Sequence, residues 1–113
     1  MTTAEAVREY ALTLPRTTLG YVGDGARFRI GRIVYLAFSP DEQIMGFAYP
    51  KLERAALVEA EPDKFRLPRP SSMRYNWVDC RLAAIDDEEM RELVTEAWRM
   101  CVPKRVAAEH LGS

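Results

Sequence analysis

The fold class follows from residues 26–38, which read ARFRIGRIVYLAF. In the first half, Phe and Ile alternate with Arg27 and Arg29, and this period of two predicts a strand with one apolar and one basic face. Gly31-Arg32 is a turn sequence, and the nearly continuous apolar run from Ile33 to Phe38 predicts a second, antiparallel strand. An antiparallel sheet is therefore expected at the centre of the domain.

The residues before Pro15 predict an N-terminal helix. Thr2 and Glu5 have capping-box spacing, in which the hydroxyl and the carboxylate satisfy free backbone donors. The stretch from Gly20 to Gly25 is interpreted as a loop with a turn at Asp24-Gly25. One face of the helix should pack on the sheet through residues at helical spacing, namely Val7, Tyr10, Ala11 and Leu14.

Downstream of the hairpin, a third strand is expected to complete a meander. This third strand spans Gln43 to Tyr49. It is followed by a short helix, Lys51 to Ala60, with Leu52, Ala55, Ala56 and Glu59 along one side. A brief edge strand, Phe65 to Leu67, and a longer strand, Met73 to Leu82, are predicted after the helix. The longer strand has large apolar residues on both faces. Either it is buried on both sides, or Tyr75 and Trp77 form an exposed aromatic shelf beside Arg81.

The C-terminal region predicts a long amphipathic helix that begins at Asp86, with Glu89 in capping-box spacing. Pro103 breaks or kinks this helix and suits the start of a short terminal segment, Lys104 to Leu111. The apolar residues of the long helix recur at intervals of three and four, at Met90, Leu93, Val94, Ala97, Trp98 and Cys101. The sequence thus predicts an α+β domain, an antiparallel sheet with helices packed on one face, over residues 1–113.

Composition restricts the class of protein. The chain has 113 residues, 48% hydrophobic and 29% charged, which are ordinary values for one globular domain. Its longest uncharged apolar run, Ile33 to Ser39, is far shorter than the roughly 20 residues of a membrane span. The N-terminus lacks a basic signal-peptide region, so we expect a cytoplasmic protein. We also expect a monomer. Cys80 and Cys101 lack metal or redox spacing and are expected to be reduced thiols.

The net charge is −1, but charge is distributed unevenly. Residues 64–81 carry five basic side chains against the single acid Asp79, whereas residues 86–96 carry six acids against Arg91 alone. An anionic partner would therefore have to bind a patch rather than the average surface.

A series of short segments, in order over most of the chain, carries a resemblance to one known family. The segments are Ala11-Leu12-Thr13-Leu14-Pro15, Phe28 to Phe38, Glu61-Pro62-Asp63-Lys64-Phe65, Tyr75-Asn76-Trp77-Val78, Arg81-Leu82, Ile85-Asp86, Ala97-Trp98-Arg99 and Pro103-Lys104-Arg105. In these segments the chain resembles the MmcQ/YjbR family of small bacterial proteins. The resemblance implies a CyaY-like (frataxin-like) fold and a DNA-binding role by analogy with a double-wing arrangement of hairpins, without a known operator, ligand or catalytic residue.

Three groups of residues are candidate phosphate or base contacts, each with a structural alternative. The hairpin arginines Arg27, Arg29 and Arg32 can contact phosphates or simply face solvent. The basic and aromatic 64–77 segment can form a nucleic-acid groove or an ordinary surface edge; its members are Lys64, Arg66, Arg69, Arg74, Tyr75 and Trp77. At the start of the last helix, Lys104 and Arg105 can bind phosphate or pair with nearby acids.

Other features suggest no catalytic or metal chemistry. The acidic run Asp86 to Glu89 invites an iron-binding interpretation of the frataxin type, but helix-start chemistry explains the same residues. His110, the single histidine, is expected at the surface, and Cys101 is expected to be buried and inert. We therefore expect no enzyme, no cofactor and no metal. The leading hypothesis is DNA binding, and the alternative is an adaptor domain for a protein or a small ligand.

Overall fold

The central hairpin belongs to a larger sheet than the sequence predicts. In the computed structural model, which describes residues 1–112, six antiparallel strands have the order β1-β2-β3-β4-β6-β5. The strands are β1 Thr17–Val22, β2 Gly25–Ile30, β3 Ile33–Phe38, β4 Ile44–Ala48, β5 Phe65–Arg66 and β6 Trp77–Arg81. The helices are α1 Ala4–Ala11, α2 Arg54–Ala60, α3 Asp87–Arg99 and α4 Lys104–Leu111.

The first strand corrects the sequence prediction, because part of the region interpreted as a loop is β1. It pairs with β2 along its full length, and the turn is Gly23-Asp24, with Gly23 at a φ of 61°. Gly20 lies inside the strand opposite Arg27, where a Cβ would lie 3.3 Å from the guanidinium of Arg29. Glycine at this position leaves room for the long side chains of β2, so it does not mark a loop.

The core lies between one face of the sheet and α1 and α3. Phe28, Met45, Phe47 and Val78 point to this face and are almost fully buried. The alternation is interrupted in β3, where a bulge leaves Tyr35 without a partner on β2. Because the bulge adds one residue, Tyr35 and the next residue are both fully buried. This explains the nearly continuous apolar run of β3.

The start of α1 differs from the predicted capping box. Thr3 is the N-cap and accepts a hydrogen bond from the backbone of Ala6, whereas Thr2 is buried and its hydroxyl donates to the carboxylate of Asp87 at 2.6 Å. The predicted apolar face is otherwise present, since Val7, Ala11 and Leu14 are buried. Thr2 thus links the N-terminus to the first turn of α3.

The second helix is shorter than predicted. It begins at Arg54, and Leu52 lies outside it with 92% of its surface exposed. The buried residue of α2 is Arg54, while Leu57 and Val58 pack on the edge of the core. A charged residue takes the inward position here because backbone carbonyls outside the helix accept its hydrogen bonds.

The C-terminal elements agree with the predicted pattern, and of the two outcomes expected at Pro103, a break or a kink, the structure has the break, followed by α4 with the predicted bounds. Asp86 caps α3 by accepting from the backbone of Glu89 at 2.8 Å, and Pro103 separates α3 from α4. Trp98 is completely buried, and its indole N–H donates to the carbonyl of Pro15 at 2.9 Å. Within residues 1–112, no helix combines the length and apolarity needed to span a bilayer.

Candidate nucleic-acid interface

The sheet face opposite the helices carries a straight row of residues across all six strands. Successive partners in the strand register form this row, namely Gly20, Arg27, Ala37, Gly46, Asp79 and Arg66. Directly opposed residues of antiparallel strands point to the same face. Arginines therefore lie toward both ends of the row, with small residues and one carboxylate between them. We call this set the cross-strand row.

A groove of about 910 Å³ lies over the middle of the cross-strand row. Its floor is formed by the small and aliphatic side chains of β3 and β4, including Val34, Ala37 and Ile44. One wall is the segment 68–77, which contributes Arg69 and Tyr75. The groove thus combines an apolar floor with a basic and aromatic border, a combination typical of ligand-binding clefts.

Trp77 covers part of the floor because residue 46 has no side chain. A Cβ at Gly46 would lie 2.5 Å from the Nε1 atom of Trp77 and 2.9 Å from a carboxylate oxygen of Asp79. Such distances are too short for atoms that are not bonded, so only glycine allows the indole to lie against β4. Gly46 therefore positions both Trp77 and Asp79.

Asp79 is a half-buried carboxylate on the groove floor. Burial raises the pKa of this carboxyl above its ordinary value, while the guanidinium of Arg69, the indole N–H of Trp77 and the charge of Arg66 partly counteract the rise. The ionised carboxylate is thus incompletely solvated, and its oxygens can accept further hydrogen bonds from a ligand.

The groove wall is held in place by the buried guanidinium of Arg54. One terminal nitrogen donates to the carbonyls of Tyr75 at 2.7 Å and Trp77 at 3.2 Å, and the other donates to the carbonyl of Met73. Asn76 adds a second attachment, since its side-chain oxygen accepts from the backbone of Lys51 at 3.0 Å. The conformation of the segment that carries Tyr75 and Trp77 therefore depends on α2 and the turn before it.

Tyr75 and Trp77 differ in exposure, which answers the question about the predicted strand. Tyr75 precedes β6 and is 54% exposed, and Trp77 is half-buried on the groove side. The guanidinium of Arg74 lies 4.8 Å from the centre of the Tyr75 ring and donates to its hydroxyl at 2.7 Å. Of the predicted shelf, only Tyr75 is exposed, and the arginine that lies against its ring is Arg74, whereas the guanidinium of Arg81 donates to the carbonyl of Asp63.

The structure brings most of the predicted contact residues to this face. Arg27, Arg29 and Arg66 point to it from β2 and β5, and Arg32 and Arg69 line the groove. Together with the shelf they form a continuous candidate site, which we call the basic face; its members are Arg27, Arg29, Arg32, Arg66, Arg69, Arg74, Tyr75 and Trp77.

Three predicted residues lie outside the basic face. Lys64 binds the carboxylates of Glu61 at 2.9 Å and Glu89 at 3.0 Å, and these two bonds raise its pKa. Lys104 and Arg105 are exposed at the start of α4 and do not line the groove. The ion pairs of Lys64 neutralise its charge, so it adds little to an anion-binding surface.

The remaining sequence features have structural roles. Of the acidic run, Asp86 caps α3, Asp87 accepts from Thr2, and Glu89 binds Lys64. No group of three possible metal ligands occurs within residues 1–112. Cys101 is half-buried rather than buried, and burial raises its pKa.

Three residues that shape the groove were not predicted as site residues from the sequence. Arg54 was hidden because a charged residue at a helix start is normally exposed, and its partners are backbone carbonyls that no sequence pattern marks. Gly46 and Asp79 gain their importance only from the register of β4 with β6. A glycine inside a strand is the one available signal, since it often marks close approach of another group.

Comparison with known proteins is consistent with this fold. The sequence profile of the YjbR family matches residues 12–100. The crystal structure of Deinococcus radiodurans protein DR2400, described as a DUF419 domain, superposes with a TM-score of 0.76 at 16% identity, covering 99% of this chain and 89% of that one. No curated protein matches the chain. Since the profile covers most of the sequence, the chain belongs to the YjbR family.

Proposed function

We propose that the protein is a non-enzymatic DNA-binding domain that contacts phosphates through the arginines of the basic face. The observation that carries the proposal is the convergence of Arg27, Arg29, Arg66 and Arg69 on the open side of one sheet, around Trp77. Guanidinium groups form the strongest contacts with phosphate oxygens, and an exposed aromatic ring offers a stacking surface.

The net charge of −1 does not conflict with this proposal, because the acids are concentrated on the other layer. Glu88, Glu92 and Glu96 are exposed on α3, which covers the opposite face of the sheet. A sheet between the two layers separates a basic surface from an acidic one. DNA approaching the basic face would meet a local positive field that the total charge conceals.

Fluorescence anisotropy with labelled duplex and single-stranded DNA tests the proposal. Four to five phosphate contacts predict that log K falls with log salt with a slope of roughly −3 to −4.5. The double substitution R27A/R69A should weaken binding and reduce the slope by about two. The matched control R91A/R99A removes the same charge from α3 and should leave binding unchanged. The proposal fails if micromolar protein does not bind either DNA in low salt, or if both double variants behave alike.

The second candidate is a small-ligand or protein-binding adaptor, and the apolar groove floor favours it. The groove volume of about 910 Å³ lies within the range of small-molecule sites. This candidate predicts that an uncharged or cationic compound raises the melting temperature of the wild-type protein but not of a variant with a filled groove, such as A37F. A thermal-shift screen with both proteins distinguishes it from DNA binding.

A further inference from the structure

We propose that the groove accepts one unpaired guanine of a single-stranded nucleic acid, with the Asp79 carboxylate as the acceptor for its Watson–Crick edge. The inference rests on the proposed function and names the part of the nucleic acid that enters the groove. It starts from a feature that phosphate binding leaves unexplained, the carboxylate on the floor of a basic face.

A carboxylate at this place weakens phosphate binding, because it repels every anion that approaches. Within residues 1–112, Asp79 is the one acidic residue that lines the groove. Arg66 lies directly opposite it on β5, and Arg69 is close enough to affect its pKa. The centre of the groove is therefore suited to a hydrogen-bond donor, and its border is suited to the phosphates on either side of that donor.

Guanine matches a carboxylate better than the other bases. Its Watson–Crick edge presents two adjacent donors, the N1–H and the 2-amino group, which can bind both carboxylate oxygens at once. Adenine, cytosine and thymine each present one donor on that edge beside an acceptor, which the carboxylate would repel. Two parallel hydrogen bonds to a charged acceptor provide both strength and geometric selection.

The surroundings of Asp79 fit a planar base. The indole of Trp77 packs against Gly46 next to the carboxylate, and the exposed ring of Tyr75 lies at the wall. Stacking on such rings contributes to binding of unpaired bases. Asp79 and Arg27 are separated by three strand spacings, roughly 14 Å, so the backbone beyond one bound base can reach a second arginine. In a duplex the Watson–Crick edge is occupied, so the site selects a single strand.

Anisotropy with a short oligothymidylate whose central base is varied tests the inference. For the wild-type protein, central guanine should bind about tenfold more tightly than thymine, adenine or cytosine. Inosine, which lacks the 2-amino group, should bind with intermediate affinity. Equal affinities for all central bases overturn the inference while leaving the proposed function intact. No binding of any oligonucleotide in the series also overturns the inference, and the proposed function fails with it only if duplex DNA does not bind either.

The variant D79N separates base recognition from charge. It removes one acceptor and one negative charge, so the preference for guanine should disappear while the unmodified oligothymidylate binds equally or more tightly. E109Q, which removes a negative charge from the exposed surface of α4, should keep the guanine preference. Guanine preference that persists in D79N overturns the role of Asp79. The wild-type base series needs no variant, so it decides the inference even if D79N folds poorly.

Discussion

Replacement of Arg54 by methionine should destabilise the protein and distort the groove wall. Methionine keeps much of the length and apolar volume of the side chain but removes the donors to the carbonyls of Met73, Tyr75 and Trp77. Each hydrogen bond to a charged group contributes about 1.5–3 kcal/mol when it is lost from a buried site. Arg54 is only 6% exposed, so all three bonds belong to this class.

The net loss should be smaller than three full hydrogen bonds. Met73 and Tyr75 lie at the surface, where their carbonyls can turn to water, and methionine avoids the cost of burying a charge. We therefore expect R54M to lower the free energy of unfolding by about 2–4 kcal/mol. With a urea m value of about 1.5 kcal/mol per molar, the midpoint of unfolding should fall by about 1.3–2.7 M.

The matched control is R99M. Arg99 is half-exposed and forms a surface ion pair with Glu96 at 3.2 Å, so its replacement should cost less than about 0.5 kcal/mol. R54K should fall between R54M and the wild type, because an ammonium group cannot reach three carbonyls with a planar fork. If R54M and R99M shift the urea midpoint equally, Arg54 does not hold the wall and the reasoning is wrong.

Two further predictions concern the groove floor. G46A places a methyl group 2.5 Å from the indole of Trp77, so it should lower the free energy of unfolding by about 1–3 kcal/mol and red-shift the fluorescence of that tryptophan. The control is G20A, whose methyl group meets only a flexible arginine and which should change neither quantity. D79N should be more stable than the wild type near neutral pH, because a carboxyl with a raised pKa lowers stability once it is ionised. The difference in urea midpoint between D79N and the wild type should therefore shrink as the pH falls from neutral toward about 4, the ordinary pKa of an unfolded aspartate, and should not change further below that value. A difference that does not change over this range contradicts this assignment.

Much of the fold could be predicted from periodicity in the sequence. The alternation around Arg27 identified the central hairpin, and the helical stripe ending near Trp98 identified the helix that covers it. Both patterns are local, so neighbouring residues in the chain contain the whole signal. β1 was missed because its glycines resemble a loop, although Gly20 leaves space for arginine side chains from the adjacent strand.

The candidate site was only partly predictable, because it depends on strands that are distant in the chain. The arginines and aromatic residues were visible as a basic and aromatic pattern. Lys64 belongs to that pattern but is paired with Glu61, which follows α2, and with Glu89 of α3. Arg54 and Gly46 act through a backbone and a neighbouring strand that periodicity cannot assign. Pairing across the sheet decides which residues of a pattern meet.

The cross-strand row makes the groove sensitive to deletions inside strands and tolerant of changes in loops. Removing one residue within β4 would turn Gly46 toward the helices and bring Met45 or Phe47 into the groove, since side chains alternate between faces. A change of length between Ser39 and Gln43 would leave the alignment of the row intact. Relatives that vary in their turns can therefore keep the same groove, whereas an insertion within β4 or β6 would remove it while the sheet itself survives.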